Sequence, residues 1–264
     1  MRTVIFNIAL IFLAVTAFAQ NSAISSYLQG NDAYRSENYA GAIEAYEQAI
    51  EAGADDYRVF FNLGNALYRE RHIGKAILNW ERAKILDPRN EDILENLDFI
   101  RSTQVDIVRE SENGPNLGNV YENTFIGFVY GFLSKFSARE FVNMLVILSI
   151  LGSICLTIWI SNRSRSRRVF FVMGIVIWAL FLAVLIPFAI KLDNAWETDK
   201  AIVISSGAEI RSASYENSQL LYTFQEGMEV AVLEIRGDYA KVLLHNGEEG
   251  WLRADYIERV ILEK

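Results

Sequence analysis

Gly30-Asn31-Asp32-Ala33-Tyr34-Arg35 returns 34 residues later as Gly64-Asn65-Ala66-Leu67-Tyr68-Arg69. The same offset joins Ala42-Ile43 to Ala76-Ile77, Tyr46 to Trp80 and Ala49 to Ala83. A fixed period of this length marks two stacked helical hairpins, residues 23–56 and 57–90. Gly30, Gly64, Ala42, Ala76, Ala49 and Ala83 are small where paired helices must approach closely. Tyr46 and Trp80 are placed to fill the space between neighbouring helix pairs. Two such units cannot bury their faces alone, so a closing helix is required. Residues 91–110 supply it: Ile93, Leu94, Leu97 and Ile100 fall at helical spacing, with Glu91, Asp92, Glu95 and Asp98 facing water.

This pattern resembles the tetratricopeptide repeat (TPR). The second unit has Pro88 just past its second helix, where a proline ends a helix. The first unit has Ala54 there, and Gln29 where the second has Leu63, so it is the more degenerate of the two. The resemblance implies an all-α TPR domain over residues 20–110 whose first helices line a peptide-binding groove. Tyr27, Asn31, Tyr34 and Arg35 share one face of the first helix, and Phe61, Asn65, Tyr68 and Arg69 repeat that face. Asn and Arg suit a peptide backbone or a terminal carboxylate. The plainer reading is that the tyrosines pack and the arginines are simply solvated.

Outward from the repeats the composition changes abruptly. Residues 20–110 carry 10 Lys+Arg against 16 Asp+Glu, residues 111–191 carry 7 against 3, and residues 192–264 carry 7 against 14. Two acidic pieces flank a basic, apolar middle, as in a membrane protein with two exposed domains. Residues 141–160 and 169–190 contain no charged side chain and are each long enough to cross a bilayer core as a helix. The loop between them, residues 161–168, holds Arg163, Arg165, Arg167 and Arg168, which the positive-inside rule keeps in the cytoplasm. Ahead of the first span, residues 111–140 read as a Gly/Pro linker. An apolar stripe (Phe125, Phe128, Val129, Phe132, Leu133, Phe136) then suits a helix lying in the membrane interface. Ser137-Ala138-Arg139-Glu140 is a capping box.

At the other end, Met1-Arg2, the apolar run Val4–Phe18 and Ala17-Phe18-Ala19 compose a signal peptide over residues 1–19. Signal peptide and arginine loop place the same segments outside the cytoplasm. The expected location is the bacterial inner membrane, with both soluble domains periplasmic.

Residues 198–264 read as a small all-β barrel. Ala201–Ile204, Glu229–Ile235 and Tyr239–Leu244 are strand-rich, and Gly237-Asp238 and Asn246-Gly247 are hairpin turns. Ile210-Arg211-Ser212, Phe224-Gln225-Glu226-Gly227, Gly237 to Val242 and Gly250-Trp251-Leu252 together resemble a bacterial SH3-type domain. Tyr239 stands where that family usually has Trp. Tyr215, Tyr222 and Tyr256 are candidates for an aromatic ligand surface, whereas Trp251 and Tyr239 are expected in the core. The resemblance implies either wall-peptide binding or a spacer.

Other chemistry has little to work with. The net charge of −8 argues against a nucleic-acid binder. Cys155 is the only cysteine, and His72 and His245 are far apart, so the sequence contains neither a metal-ligand cluster nor a nucleophile–base pair. No P-loop or Gly-rich phosphate loop occurs. The reading is a non-enzymatic protein with no cofactor. The order of parts is similar to the BatE family of the Bacteroidetes aerotolerance (Bat) operons. That resemblance implies scaffolding in an envelope stress complex. Von Willebrand factor A-domain membrane proteins are the implied partners, with a MoxR-type AAA+ ATPase less directly. A wall tether holding peptidoglycan through the SH3-type domain is the alternative.

Overall fold

The computed structural model describes residues 21–108, 135–161, 167–192, 199–244 and 247–261. The signal peptide, the interfacial stripe up to residue 134, and Arg163 and Arg165 lie outside the described residues. Five helices form the repeat region: α1 (residues 21–35), α2 (Tyr39–Glu51), α3 (Tyr57–Arg69), α4 (Ile73–Leu86) and α5 (Glu91–Val108). Local chemistry sets their starts. The Asn38 side chain accepts from the Gly41 N–H (3.1 Å), Asp56 from Arg58 (3.0 Å) and Asn90 from Ile93 (3.3 Å). Glu37 and Arg71 close α1 and α3 with φ of 60° and 67°. Their 34-residue spacing shows the repeat in the backbone as well as in the side chains.

The recurring glycines are explained by the aromatics opposite them. A Cβ on Gly30 would lie 2.5 Å from the Tyr46 ring, and one on Gly64 would lie 2.6 Å from the Trp80 indole. Only glycine lets these large rings sink against the preceding helix, and both rings are almost wholly buried. The closing helix behaves as the spacing predicts, with Ile93, Leu97 and Ile100 buried.

The C-terminal part is a seven-stranded antiparallel sheet in the order β3-β2-β6-β5-β4-β1-β7. The strands are β1 (Lys200–Val203), β2 (Ala208–Arg211), β3 (Leu220–Phe224), β4 (Glu229–Arg236), β5 (Tyr239–Leu243), β6 (Glu249–Arg253) and β7 (Ile257–Arg259). Alternation of small and branched residues fills its centre with Val203, Ile210, Val230, Val242 and Leu252. Gly237, at φ 59°, turns β4 into β5. Trp251 and Tyr239, expected in this core, are only half-buried. The Arg236 guanidinium lies over the Trp251 ring, 5.1 Å from its centroid. The small residues of β5 and β6, Ala240 and Gly250, close the core without the two rings.

Repeats and barrel belong to one compact unit. The contact is made by one face of α4 together with Arg101 of α5. The Gly74 N–H donates to Glu226 Oε2 (3.2 Å), so a carboxylate of the barrel caps this helix. Arg82 donates to the Val260 and Arg259 carbonyls (3.1 and 2.9 Å) and pairs with Glu258 at 2.8 Å. Beside it lies a closed ring of alternating charge. Lys200 pairs with Glu81 (3.0 Å) and Glu229 (2.8 Å), and Arg101 of α5 pairs with the same two carboxylates (2.8 and 2.7 Å). Burial alone would raise the Glu229 carboxyl, but Lys200 and Arg101 override it and hold it down at about 2. Burial would lower Lys200, yet Glu81 and Glu229 raise it.

The second compact unit carries two long apolar helices, α6 (Ala138–Ser161) and α7 (Arg167–Leu192). The capping box forms: Ser137 N–H donates to Glu140 Oε2 (2.9 Å) and Glu140 N–H to Ser137 Oγ (3.3 Å). Small residues let the helices meet. A Cβ on Gly152 would lie 3.0 Å from the Trp178 indole nitrogen, and Cys155 is buried. Elsewhere Ile, Leu and Val are exposed along both helices, whose mean hydropathy reaches 2.4 and 3.0. Both are long and apolar enough to cross a membrane. The second helix begins two residues ahead of the apolar run 169–190, so Arg167 and Arg168 stand in its first turn. Arg167 lies over the Trp159 ring at 5.1 Å.

Candidate functional site

On the inner side of the repeats a cleft of about 280 Å³ is lined by Tyr27, Asn31, Tyr34, Arg35, Tyr46, Asn62 and Asn65. Five of these belong to the eight residues that the repeat pattern singles out. Phe61, Tyr68 and Arg69 do not line it. Tyr68 packs on Trp80, ring centroids 5.8 Å apart. Arg69 is exposed and lies over the Tyr39 ring at 5.8 Å. Arg35 pairs with Asp32 at 3.0 Å in full exposure, and Tyr34 meets Tyr39 edge-on at 5.3 Å.

A repeated hydrogen-bond ladder builds the floor. Asn31 Oδ1 accepts from the Tyr46 hydroxyl (2.8 Å) and from Asn62 Nδ2 (3.0 Å). One repeat later, Asn65 Oδ1 accepts from Trp80 Nε1 (3.0 Å) and from Asn96 Nδ2 (3.0 Å). Each asparagine thus satisfies a buried aromatic donor with its side-chain oxygen. Burial pushes the Tyr46 hydroxyl up to about 12, with Tyr27 nearby adding to it, so it stays a neutral donor. The asparagines are therefore structural as well as candidate binding residues, which the repeat spacing alone does not reveal. Asn62 and Tyr46 enlarge the site beyond the residues singled out. The signal for Asn62 is in the sequence, because Asn96 stands 34 residues after it.

The aromatic candidates of the barrel have different surroundings. Tyr215 is exposed, Tyr222 stacks on Phe224 (6.2 Å) and donates to Glu248, and Tyr256 lies beneath Arg253 (5.9 Å). Among the described residues no group of His, Cys, Asp and Glu is placed to hold a metal ion.

Residues 27–91 match the family model of the tetratricopeptide repeat. Residues 206–258 match that of the bacterial SH3 domain. The chain carries both modules. Each is an interaction domain without catalytic machinery of its own, which makes protein–protein or cell-wall binding the function class at hand. No curated protein matches the chain.

Proposed function

We propose that the protein is a membrane-anchored periplasmic scaffold that holds envelope proteins through the cleft of its repeats. The observation that carries this reading is the cleft itself. Asn31 and Asn65, at equivalent positions of the two repeats, line it together with the rings of Tyr27 and Tyr34 from repeat one. That set suits an extended peptide, whose carbonyls recur along the chain and whose side chains pack on aromatic faces.

Topology supports the anchor. The barrel is seated on α4, so repeats and barrel share one compartment, and the chain between them crosses a membrane an even number of times, as two spans do. The signal-peptide pattern and the arginines at the start of α7 favour the periplasm for both. Membership of a Bat-type complex, with von Willebrand factor A-domain membrane proteins as partners and a MoxR-type ATPase beyond them, is the more specific form of the proposal. It rests on the order of the parts. The protein acts without catalysis.

A photoreactive benzoylphenylalanine at Tyr34 tests the reading, with Gln48 on the exposed outer face as control. The expected result is a covalent adduct to an envelope protein from position 34 and none from 48. Equal yields, or none at 34, overturn the cleft as the binding site. A bacterial SH3 match also favours a wall tether. Adducts to muropeptides from Tyr215, with none to proteins from Tyr34, would establish it instead.

A further inference from the structure

We infer that the barrel is a structural part of the second repeat, seated permanently on α4 and α5, and not a ligand-binding module on a tether. Three features of the contact point this way. Gly74 has no room for a side chain, because a Cβ there would lie 2.5 Å from the Val203 carbonyl oxygen. Glu226 supplies the first-turn bond of α4, where the repeat pattern has put His72 in place of the capping Asn38. The charge ring takes one acid and one base from each side: Glu81 and Arg101 from the helices, Lys200 and Glu229 from the barrel.

The ring specifies register. A shift of one residue in the seating breaks all four pairs and leaves Glu81, Lys200 and Glu229 poorly solvated, so one docking geometry is favoured over its neighbours. Apolar contact alone would tolerate sliding. Repeat one shows what the same face looks like when nothing is seated on it. Ala40, Glu44, Glu47 and Gln48 hold the positions of Gly74, Leu78, Glu81 and Arg82, and all four are exposed. The barrel surface formed by β1, the start of β4 and β7 is consequently occupied, and any ligand of the barrel binds elsewhere on it.

Hydrogen exchange of the full-length chain in lipid nanodiscs, read across a urea series, tests this. In the native chain, amides of residues 73–86 and of residues 200–203 should lose protection at one shared midpoint. Lys200→Met, which breaks the ring, should raise exchange in residues 73–86 roughly tenfold and leave residues 39–51 unchanged. Glu258→Gln is the milder variant, removing only the more exposed end of the Arg82 pair. It should raise exchange about two- to threefold in the same segment. Separate midpoints for the helix and the strand in the native chain overturn the inference, as does exchange in residues 73–86 that neither variant alters.

Discussion

The second helices of the two repeats, α2 and α4, share a sequence pattern and have opposite surroundings. Each buries small residues and one large aromatic on the inner side: Ala42, Ala49 and Tyr46 in α2, Ala76, Ala83 and Trp80 in α4. On the outer side, α2 faces water with Ala40, Glu44, Glu47 and Gln48, whereas α4 carries the barrel on Gly74, Glu81 and Arg82. The inner face is thus set by the repeat and the outer face by what docks there. A periodic pattern describes only the contacts that recur with its period, and a contact made once along the chain escapes it.

Substitutions at matched positions separate these two faces. The largest contrast is expected for Arg82→Ala against Gln48→Ala. Losing Arg82 removes an ion pair and leaves two carbonyls near the seat without their donor. A cost of about 2–3 kcal/mol follows, below that of a fully buried pair because Glu258 is 42% exposed. Gln48→Ala should fall within about 0.5 kcal/mol of the native protein. Urea midpoints of the full-length chain give both values, and equal losses would break the comparison.

The inner faces, by contrast, should respond alike. Asn31→Ala strands the Tyr46 hydroxyl and Asn65→Ala strands the Trp80 indole N–H, each costing about 1–3 kcal/mol. Thermal unfolding that differs by much more than that range between the two would mean the ladder is not a true repeat.

A smaller, conditional difference is expected with pH. Glu229 is depressed, so its contribution is present above the usual carboxylate range near about 4.3 and is lost as pH falls towards about 2. Lys200 is raised, so its contribution is present below the usual range near about 10.4 and is lost as pH rises above it. The groups facing these two are Glu81 on α4 and Arg101 on α5. Exchange protection of α4 should therefore be flat from roughly pH 5 to 9 and weaken at both extremes, while that of α2 does not follow.

The smallest effect concerns the turns. Glu37 and Arg71 hold left-handed backbone without being glycine. Glu37→Gly and Arg71→Gly should each stabilise by roughly 0.5–1 kcal/mol, a rise of a few degrees in Tm, with a loss at either one contradicting strain there.

Much of this was legible in the sequence, for physical reasons that differ by region. The repeats were, because close helix packing forces Gly30, Gly64 and the alanines into fixed spacing. The apolar helices were, because residues 141–160 and 169–190 carry no charge; the second helix starts two residues ahead of its run, since Arg167 and Arg168 have helical propensity and lie next to it. The hairpin turns of the barrel were legible from Gly237-Asp238. Trp251 and Tyr239 were misjudged, because aromatic size suggests burial while the centre of this small sheet is filled by Val, Ile, Leu and Ala. The seat on α4 was hidden: Glu81, Arg101, Lys200 and Glu229 read as ordinary surface charge until the fold brings them together across more than a hundred residues. The bond from Trp80 to Asn65 was hidden likewise, since the two are neighbours in space only.

The central claim, that repeats and barrel form one body on one side of a membrane crossed by two spans, is open to one direct measurement. In a Cys155→Ser background, single cysteines at Gln48, Ser164 and Glu216 are treated in spheroplasts with a membrane-impermeant maleimide. The account predicts labelling at positions 48 and 216 before lysis, and at 164 only after it. Labelling of 48 without 216, or of 216 without 48, would contradict it.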